Sequence, residues 1–390
     1  MRGWTSVTAA LLLLACGDGS GDADAGGGSG IDAGARDAGA TGEDAGRRDA
    51  RVSLPDAQPA PDGGASTADA GGGGDDAGVR ITGTCADPVP VGAEEPAPLP
   101  TYGGTCPTLA PGRNTITSSG ESREFLLVVP DALDPSEELP VIFMWHWLGG
   151  DADGFRERGE VQAAADALRF LAVIPEERGD LSLKWPYLVP PAHSDARRDE
   201  ELAFFDDMLA CVAEQYPVNR HCVSSAGVSA GALWTGQLAQ HRSEHLSSIL
   251  SLSGGVGTGS LIQPVREWTG AAHAMPALVL WGGPTDFCGV DFDTASMALE
   301  DGLVAGGHYV VECVHNCAHS QPPIDTDPGV SAFEALWRFA LDHPYWLADG
   351  ISPWMDTGLP AGTPDWCAQG AGAATIREGE CEGGVLGDCT

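Results

Sequence analysis

Residues 222–239 read CVSSAGVSAGALWTGQLA. The first five are small and partly β-branched, which favours a buried strand, and the last eight predict a helix. Between them, Gly227-Val228-Ser229-Ala230-Gly231 fits the G-x-S-x-G pattern, in which a serine lies exposed on a sharp strand-to-helix turn. A side chain at either glycine would collide with the neighbouring strand or helix. The stretch predicts Ser229 as a nucleophile, and a Gly-rich turn with a structural serine is the alternative.

Strand and helix patterns alternate on both sides of this stretch. The predicted helices cover residues 153–168, 200–215 and 330–343, and the predicted strands cover 123–130, 141–145, 170–175, 248–253, 277–282 and 309–314. Such alternation predicts an α/β fold in which helices cover both faces of a mostly parallel sheet.

An acid and a histidine follow the serine at two later strand ends. Asp286 comes after strand 277–282, and His319 comes after strand 309–314. The order Ser, acid, His is that of α/β-hydrolase triads, and loops at the carboxyl ends of parallel strands meet at one edge of the sheet. The sequence therefore predicts a Ser229–His319–Asp286 triad. His315 is a rival base that we expect to pack because it lies nearer the strand, and Asp291 and Asp293 are rival acids farther from it.

Two backbone amides are candidate donors to an oxyanion. One belongs to Ala230, directly after the serine at a helix N-terminus. The other belongs to Leu148, or alternatively Trp147, in the stretch WHWLGG at 145–150. Candidate substrate-contacting residues are mostly aromatic, and packing is the alternative role for each: His146, Trp147, Trp185, Tyr187 and Trp234.

The N-terminus predicts export. Arg2 precedes a short apolar run over 7–15, which is typical of a signal peptide and too short to cross a bilayer as a mature helix. Leu13-Leu14-Ala15-Cys16 resembles the lipobox of bacterial lipoproteins. We therefore expect residues 1–16 to be a signal ending at a lipidated Cys16, which would attach the protein to a membrane. Plain secretion is the alternative.

Three further segments follow the signal. Residues 17–84 are rich in Gly, Ala and Asp, repeat Asp-Ala-Gly six times and contain no aromatic residue. Such a segment buries too little apolar surface to offset its ordering entropy, so it predicts a disordered tether. Residues 85–345 have the length of one catalytic domain. Residues 346–390, rich in Gly, Pro, Trp and Cys, predict an irregular strap, and a carbohydrate-binding module is the alternative.

Charge excludes one class of partner. The formal net charge is −36, of which residues 85–390 contribute −29, from 14 basic and 43 acidic residues. No basic stripe is available to neutralise phosphates, which argues against a nucleic-acid partner.

Cysteine usage indicates an oxidising compartment. Ten of the 11 cysteines remain after Cys16, an even number that favours about five disulfides in an exported chain. Cys211 and Cys222 flank a short turn, which predicts one pair. Cys288 and Cys317 lie two residues from Asp286 and His319, which predicts a second pair joining the two loops. Cys288 with Cys313, or bonds to the C-terminal cysteines, are the alternatives.

The cysteines and histidines of residues 313–319 are also candidate ligands of a zinc ion. Cys313, His315, Cys317 and His319 alternate along an extended segment. Their spacing is tighter than that of zinc clips, so we predict no metal.

The motifs together resemble one group of α/β-hydrolases, the extracellular poly(3-hydroxybutyrate) depolymerase-like and feruloyl or acetylxylan esterase-like enzymes. The resemblance covers residues 104–343 and rests on HxxGG at His146, GVSAGA at Ser229, GxxD at Asp286 and NCAHSQPP at His319. One departure is Trp147, where the family usually has glycine after the histidine.

The resemblance implies hydrolysis of polyester or plant cell-wall esters through an acyl-enzyme, without a cofactor. A peptidase or amidase of the same fold, and an inactive surface-binding protein, are the alternatives. We expect a monomer that is secreted and anchored at the cell envelope.

Overall fold

The predicted alternation of strands and helices produces one mixed sheet. The computed structural model describes residues 83–134, 136–181, 183–324 and 331–381. The predicted signal peptide with Cys16, nearly all of the predicted tether, and Cys389 lie outside the described residues. Within them, nine strands follow the order β1-β2-β4-β3-β5-β6-β7-β8-β9. The six strands from β4 to β8 in this order are parallel, and the antiparallel strands lie at the two edges.

The strands agree with the predicted ones in the parallel part of the sheet. Their bounds are β1 Gly112–Ser118, β2 Glu121–Val128, β3 Leu139–Trp145, β4 Leu171–Pro175, β5 Val218–Val228, β6 Ser248–Leu252, β7 Ala277–Trp281, β8 Val310–Val314 and β9 Cys367–Gln369. The sequence analysis missed β1, which pairs with β2, and β9, which pairs with β8.

The helices cover both faces of this sheet, as predicted. Their bounds are α1 Ala152–Arg158, α2 Val161–Leu168, α3 Asp195–Gln215, α4 Ala230–Arg242, α5 Phe292–Ala305, α6 Glu334–Leu341 and α7 Trp354–Thr357. The core on one face contains residues of α3, α4 and α5. The core on the other face contains residues of α1, α2, α6 and α7.

Strand β3 shows how one element supplies both cores. Val141, Phe143 and Trp145 belong to the α3/α4/α5 face, whereas Ile142 and Met144 belong to the opposite face. Successive side chains of a strand point to opposite faces, so a continuous apolar run is buried on both sides. The strand next to the serine is therefore held rigidly from both faces.

The predicted helix at 153–168 is two helices. Gly159 and Glu160 separate α1 from α2, and Glu160 has a left-handed φ of 48°. A residue with this φ interrupts a right-handed helix, and the apolar periodicity continues across the break.

The described part of the predicted strap, residues 346–381, contains regular structure. It includes α7 and β9, and β9 extends the sheet beside β8 through the pairs Val311–Gln369 and Cys313–Cys367. A three-residue strand has too few positions to show a period of two, so the sequence pattern carried no signal for it.

The predicted Cys211–Cys222 disulfide is wrong. The structure pairs Cys85 with Cys222 and Cys106 with Cys211. Cys211 lies in α3 and packs in the core of the α3/α4/α5 face. Cys222 alternates with Val223, which belongs to that same core, so its side chain points to the opposite face of the sheet. The two sulfurs are therefore separated by the sheet.

The predicted Cys288–Cys317 disulfide is also wrong. Cys317 is bonded to Cys381, and Cys313 is bonded to Cys367. Cys288 is disulfide-bonded as well, but not to Cys317. It lies in a loop closed by the hydrogen bond from the Phe292 amide to the Asp286 carbonyl. The acid and the base approach each other, but Cys288 lies within a closed turn, and the partner of Cys317 comes from the C-terminal segment.

Among the described residues, no helix combines the length and the apolar character needed to cross a bilayer.

Candidate active site

Ser229 lies at the sharp turn between β5 and α4. Its backbone has φ 55° and ψ −118°, a conformation that an L-residue rarely adopts and that surrounding contacts must hold. The Ser229 amide donates to the carbonyl of Leu252 at the end of β6. A Cβ at Gly227 would overlap the Gly231 carbonyl, and a Cβ at Gly231 would overlap the carbonyls of Trp145 and His146. Both glycines are required by close backbone approach.

His319 contacts both other members of the predicted triad. Its Nε2 lies 2.8 Å from Ser229 Oγ, and its Nδ1 lies 2.7 Å from Asp286 Oδ1. The Phe292 ring stacks on the imidazole, with centroids 4.3 Å apart and planes 16° apart. The structure thus brings together three side chains that the sequence places 33 and 57 residues apart along the chain. Sequence analysis missed Phe292, because nothing in its surroundings marks it.

Asp286 is buried and is held through both carboxylate oxygens. Oδ1 faces His319, and Oδ2 accepts a hydrogen bond of 2.7 Å from the Gly282 amide. The side chain has no exposed surface. A buried carboxylate that accepts these bonds is able to orient an imidazole and to stabilise its charged form.

The rival base packs away from the serine. His315 is fully buried at the end of β8, and its ring lies edge-on to Trp366 at 5.9 Å. Its Nδ1 accepts a hydrogen bond from the Cys317 amide, which identifies the neutral form with the proton on Nε2. Burial lowers the pKa of His315 to about 4, against the raising effect of Asp286.

The rival acids have structural partners. Asp291 caps α5 by accepting a hydrogen bond from the Thr294 amide. Asp293 accepts a hydrogen bond of 2.8 Å from Trp281 Nε1.

The loop after β3 holds the candidate oxyanion donor in a fixed orientation. The Trp147 carbonyl accepts hydrogen bonds from His146 Nδ1, at 2.9 Å, and from the Gly150 amide, at 3.0 Å. The peptide bond is planar and trans, so the Leu148 N–H on the same peptide points in the opposite direction. The His146 carbonyl accepts a further hydrogen bond from Trp185 Nε1.

His146 therefore has a different role from the predicted contact with a substrate. It is fully buried and holds the loop instead of facing a substrate. Burial lowers the pKa of its imidazole.

Most of the aromatic residues predicted to contact a substrate are buried. Trp185 and Trp234 are fully buried and lie edge-on to Trp145, and Tyr187 is buried beside His193. Trp147 is half-buried on Phe155 of α1, with the Arg158 guanidinium over its ring. These residues pack the loops and the core.

Several apolar side chains are exposed in loops that follow the parallel strands. Val189 follows β4, Leu261 and Ile262 follow β6, and Phe287 follows β7. Leu261 and Ile262 are 98% and 91% exposed. Sequence analysis did not identify these positions, because isolated apolar residues in loops have no periodicity.

The described part of the chain contains no group of three or more His, Cys, Asp or Glu side chains arranged to hold a metal ion.

Two curated fungal esterases are similar to part of the chain. Feruloyl esterase D of Neurospora crassa is 26% identical over 155 residues, which are 39% of this chain and 52% of the relative. Feruloyl esterase C of Emericella nidulans is 28% identical over 158 residues, 40% of this chain and 54% of the relative. The chain therefore spans about half the length of the curated relatives it matches. No family model matches the chain.

Solved structures share the fold over a larger part of the chain. The structure of the native protein called pOPH covers 70% of this chain and 99% of its own, with a TM-score of 0.55 and 16% identity. That of native sOPH covers 72% and 99%, with a TM-score of 0.53 and 18% identity. The expected resemblance to feruloyl esterases is confirmed, and the chain has the α/β-hydrolase fold.

Proposed function

We propose that the protein is a serine carboxylic-ester hydrolase in which Ser229, His319 and Asp286 form the catalytic triad. The observation that carries the proposal is the continuous hydrogen-bonded series from Asp286 Oδ1 through His319 to Ser229 Oγ, at 2.7 and 2.8 Å. These are the distances that a nucleophile, its base and the group that orients the base need.

In the proposed reaction, Ser229 Oγ attacks the ester carbonyl while its proton moves to His319 Nε2. Asp286 keeps the imidazole proton on Nδ1 and stabilises the imidazolium. His319 then gives the proton to the departing alcohol, which leaves an acyl-enzyme. Water then attacks this ester while His319 takes one of its protons, and His319 gives that proton to Ser229 Oγ as the acid product leaves. No cofactor takes part in these steps.

The oxyanion of each tetrahedral intermediate would be stabilised by the amides of Ala230 and Leu148. Ala230 begins α4, so its N–H lies at the positive end of a helix dipole. The close approach of Gly231 to the Trp145 and His146 carbonyls brings the loop of Leu148 against the first turn of this helix. Trp147 supplies the peptide carbonyl that fixes the Leu148 N–H, so we assign the donor to Leu148.

We propose a feruloyl, acetyl or polyester substrate. The likeness to two feruloyl esterases supports this class. The exposed Phe287, which directly follows the acid Asp286, suits an uncharged ester with apolar groups.

We also propose that the enzyme is exported and anchored through a lipidated Cys16. The disulfides of the described domain support an oxidising compartment. A Cys16→Ser variant expressed in a bacterium that lipidates exported proteins should move from the membrane fraction to the soluble fraction, with its specific activity unchanged. Retention in the membrane fraction would contradict lipid anchoring.

The test of the activity compares the wild-type protein and Ser229→Ala on p-nitrophenyl acetate, methyl ferulate and hydroxybutyrate oligomers. Loss of the serine should lower the rate by on the order of 10⁴ to 10⁶, with the thermal midpoint changed by only a few degrees. A folded wild-type protein without hydrolysis of any of these esters would contradict the proposed activity. Full activity of Ser229→Ala would assign the nucleophile elsewhere.

A further inference from the structure

The C-terminal segment of residues 366–381, here called the clamp segment, makes contacts with the loop that carries His319. That loop, residues 314–319, is called the base loop. It follows β8 and contains no helix or strand beyond Val314. Ala318, next to His319, has a left-handed φ of 52°, so the loop is not in a conformation that its own residues favour.

Arg377 binds the base loop through both backbone and side chain. Its amide donates to the Val314 carbonyl at 2.9 Å, and its Nη1 donates to Asn316 Oδ1 at 3.0 Å. The side-chain Nδ2 of Asn316 in turn donates to the Gly379 carbonyl at 2.8 Å. The clamp segment and the base loop thus exchange hydrogen bonds in both directions around one asparagine.

A disulfide adds a covalent link at the next residue. Cys317, two residues before His319, is bonded to Cys381, with the Cα atoms 5.5 Å apart. Cys313 at the end of β8 is bonded to Cys367 of β9. Each end of the clamp segment is therefore covalently joined to the chain that leads to the base.

The clamp segment also covers the buried histidine of the base loop. Trp366 accepts a hydrogen bond from the Val314 amide through its carbonyl, and its ring lies edge-on to His315. His315 holds the Cys317 amide through its Nδ1. Packing by Trp366 thus supports the ring that orients the peptide two residues before His319.

We infer that the clamp segment is a positioning element for the catalytic base, so that residues distant in sequence set the geometry of His319. This inference rests on the proposed function. Catalysis by a triad tolerates little displacement, and a misplacement of about 1 Å costs on the order of 10²-fold in rate. A base loop attached only to β8 and Asp286 would sample positions in which Nε2 is too far from Ser229 Oγ.

The test removes the disulfide between the clamp segment and the base loop, and compares the effect with that of removing a matched disulfide elsewhere. The test variant is Cys317→Ser/Cys381→Ser, and the control is Cys106→Ser/Cys211→Ser. The control disulfide has a similar Cα separation of 5.4 Å and closes a longer loop, with a sequence separation of 105 against 64. In the chain-entropy model its loss costs at least as much global stability. An effect on the chemistry that exceeds the control therefore reports on positioning.

We expect kcat of the test variant to fall about tenfold or more, because His319 would be partly misplaced. Its KM should change less than threefold. The second-order rate of labelling by a fluorophosphonate should fall in parallel, while the final labelled fraction stays complete. The control should keep its kcat within twofold. Equal kcat values in the two double variants would overturn the inference. Absence of hydrolysis by the wild-type protein would instead contradict the proposed function.

A second variant keeps the inference testable if the double variant does not fold. Arg377→Ala removes the hydrogen bond to Asn316 and leaves the disulfide intact. A fall in kcat of about threefold, partly restored in Arg377→Lys, supports positioning. An unchanged kcat in Arg377→Ala overturns it.

Discussion

The turn that carries Ser229 and the loop that carries His319 reach the same site by different means. The turn is held by its own sequence, because two glycines allow the backbones of β5, α4 and the loop after β3 to approach closely. The base loop is held by Asp286, by a buried histidine and by a segment about 60 residues later in the chain. One half of the site is therefore encoded locally, and the other half depends on tertiary contacts.

This difference explains which features are visible in a sequence. Close approach at a turn requires particular residue types at fixed offsets, so it leaves a motif. Contacts between distant segments require only complementary partners, so they leave no fixed spacing. We expect substitutions in the turn to act through sterics and substitutions around the base loop to act through orientation.

The largest effect is expected within the base loop itself. His319→Ala should lower the rate by on the order of 10⁴ to 10⁶, because the serine loses its proton acceptor. The matched control is His315→Ala, four residues earlier, which should lower the thermal midpoint but keep measurable turnover. The kcat and thermal midpoint of both variants decide the assignment. A well-folded but inactive His315→Ala, with an active His319→Ala, would exchange the two roles.

A single methyl group tests the local encoding of the turn. In Gly231→Ala the new Cβ would overlap the Trp145 and His146 carbonyls, so the loop after β3 must move away from α4. We expect a loss of about 1–3 kcal/mol in the free energy of unfolding and of on the order of 10² to 10³ in kcat. Gly103→Ala is the control, since its Cβ meets nothing within 4 Å. If both variants keep wild-type activity, the close approach is not required.

A smaller effect is expected at His146, whose Nδ1 donates to the carbonyl of the Trp147–Leu148 peptide. His146→Ala removes one of the two hydrogen bonds to the Trp147 carbonyl, and we expect kcat to fall about tenfold, less than the 10² to 10³ for the loss of a donor. His146→Asn places an amide donor near the former Nδ1 and should restore part of the rate. If His146→Ala raised KM and left kcat unchanged, the residue would act on substrate binding instead.

Acid should lower the stability of the folded protein, and His315 of the base loop is one of the groups responsible. Burial lowers the pKa of His193, His273, His315 and His343 to about 4 each, against about 6.5 in an unfolded chain. Between these values the unfolded state binds more protons than the folded state, so stability falls as the pH drops from about 6.5 to 4. Asp207 and Asp342, whose pKa values burial raises, act in the opposite sense at lower pH.

Urea unfolding at pH 7 and pH 5 measures this effect, and the midpoint should be lower at pH 5. The groups that act on the His315 charge are Asp286, Arg377 and His319. His315→Asn keeps an acceptor near the Cys317 amide and cannot be protonated, so its midpoint should depend less on pH. An equal pH dependence in the wild-type protein and this variant would show that His315 does not contribute. The turn at Gly227–Gly231 contains no titratable side chain, so acid cannot act on it in this way.

The sequence was sufficient for the parts of the structure with a local signal. The parallel strands, the turn at Ser229 and the meeting of Asp286 with His319 all follow from apolar runs and from residue order along a parallel sheet. The disulfides do not follow from such signals. Cys211 and Cys222 are close in sequence, but their side chains lie on opposite faces of the sheet and bond to other cysteines. The predicted substrate contacts of the aromatic residues were wrong for a related reason. The sequence shows that these rings are present, but only the packing of the fold decides that Trp185 and Trp234 are buried in the core.

We propose that Ser229, activated by His319, is the nucleophile of an esterase. The most direct measurement is reaction of the folded protein with a fluorophosphonate, followed by peptide mapping of the adduct and by an assay of the remaining activity on p-nitrophenyl acetate. We expect one adduct per chain, on Ser229, formed in proportion to the loss of hydrolysis and nearly absent in His319→Ala. An adduct on another residue, or an active protein that the reagent neither labels nor inhibits, would contradict it.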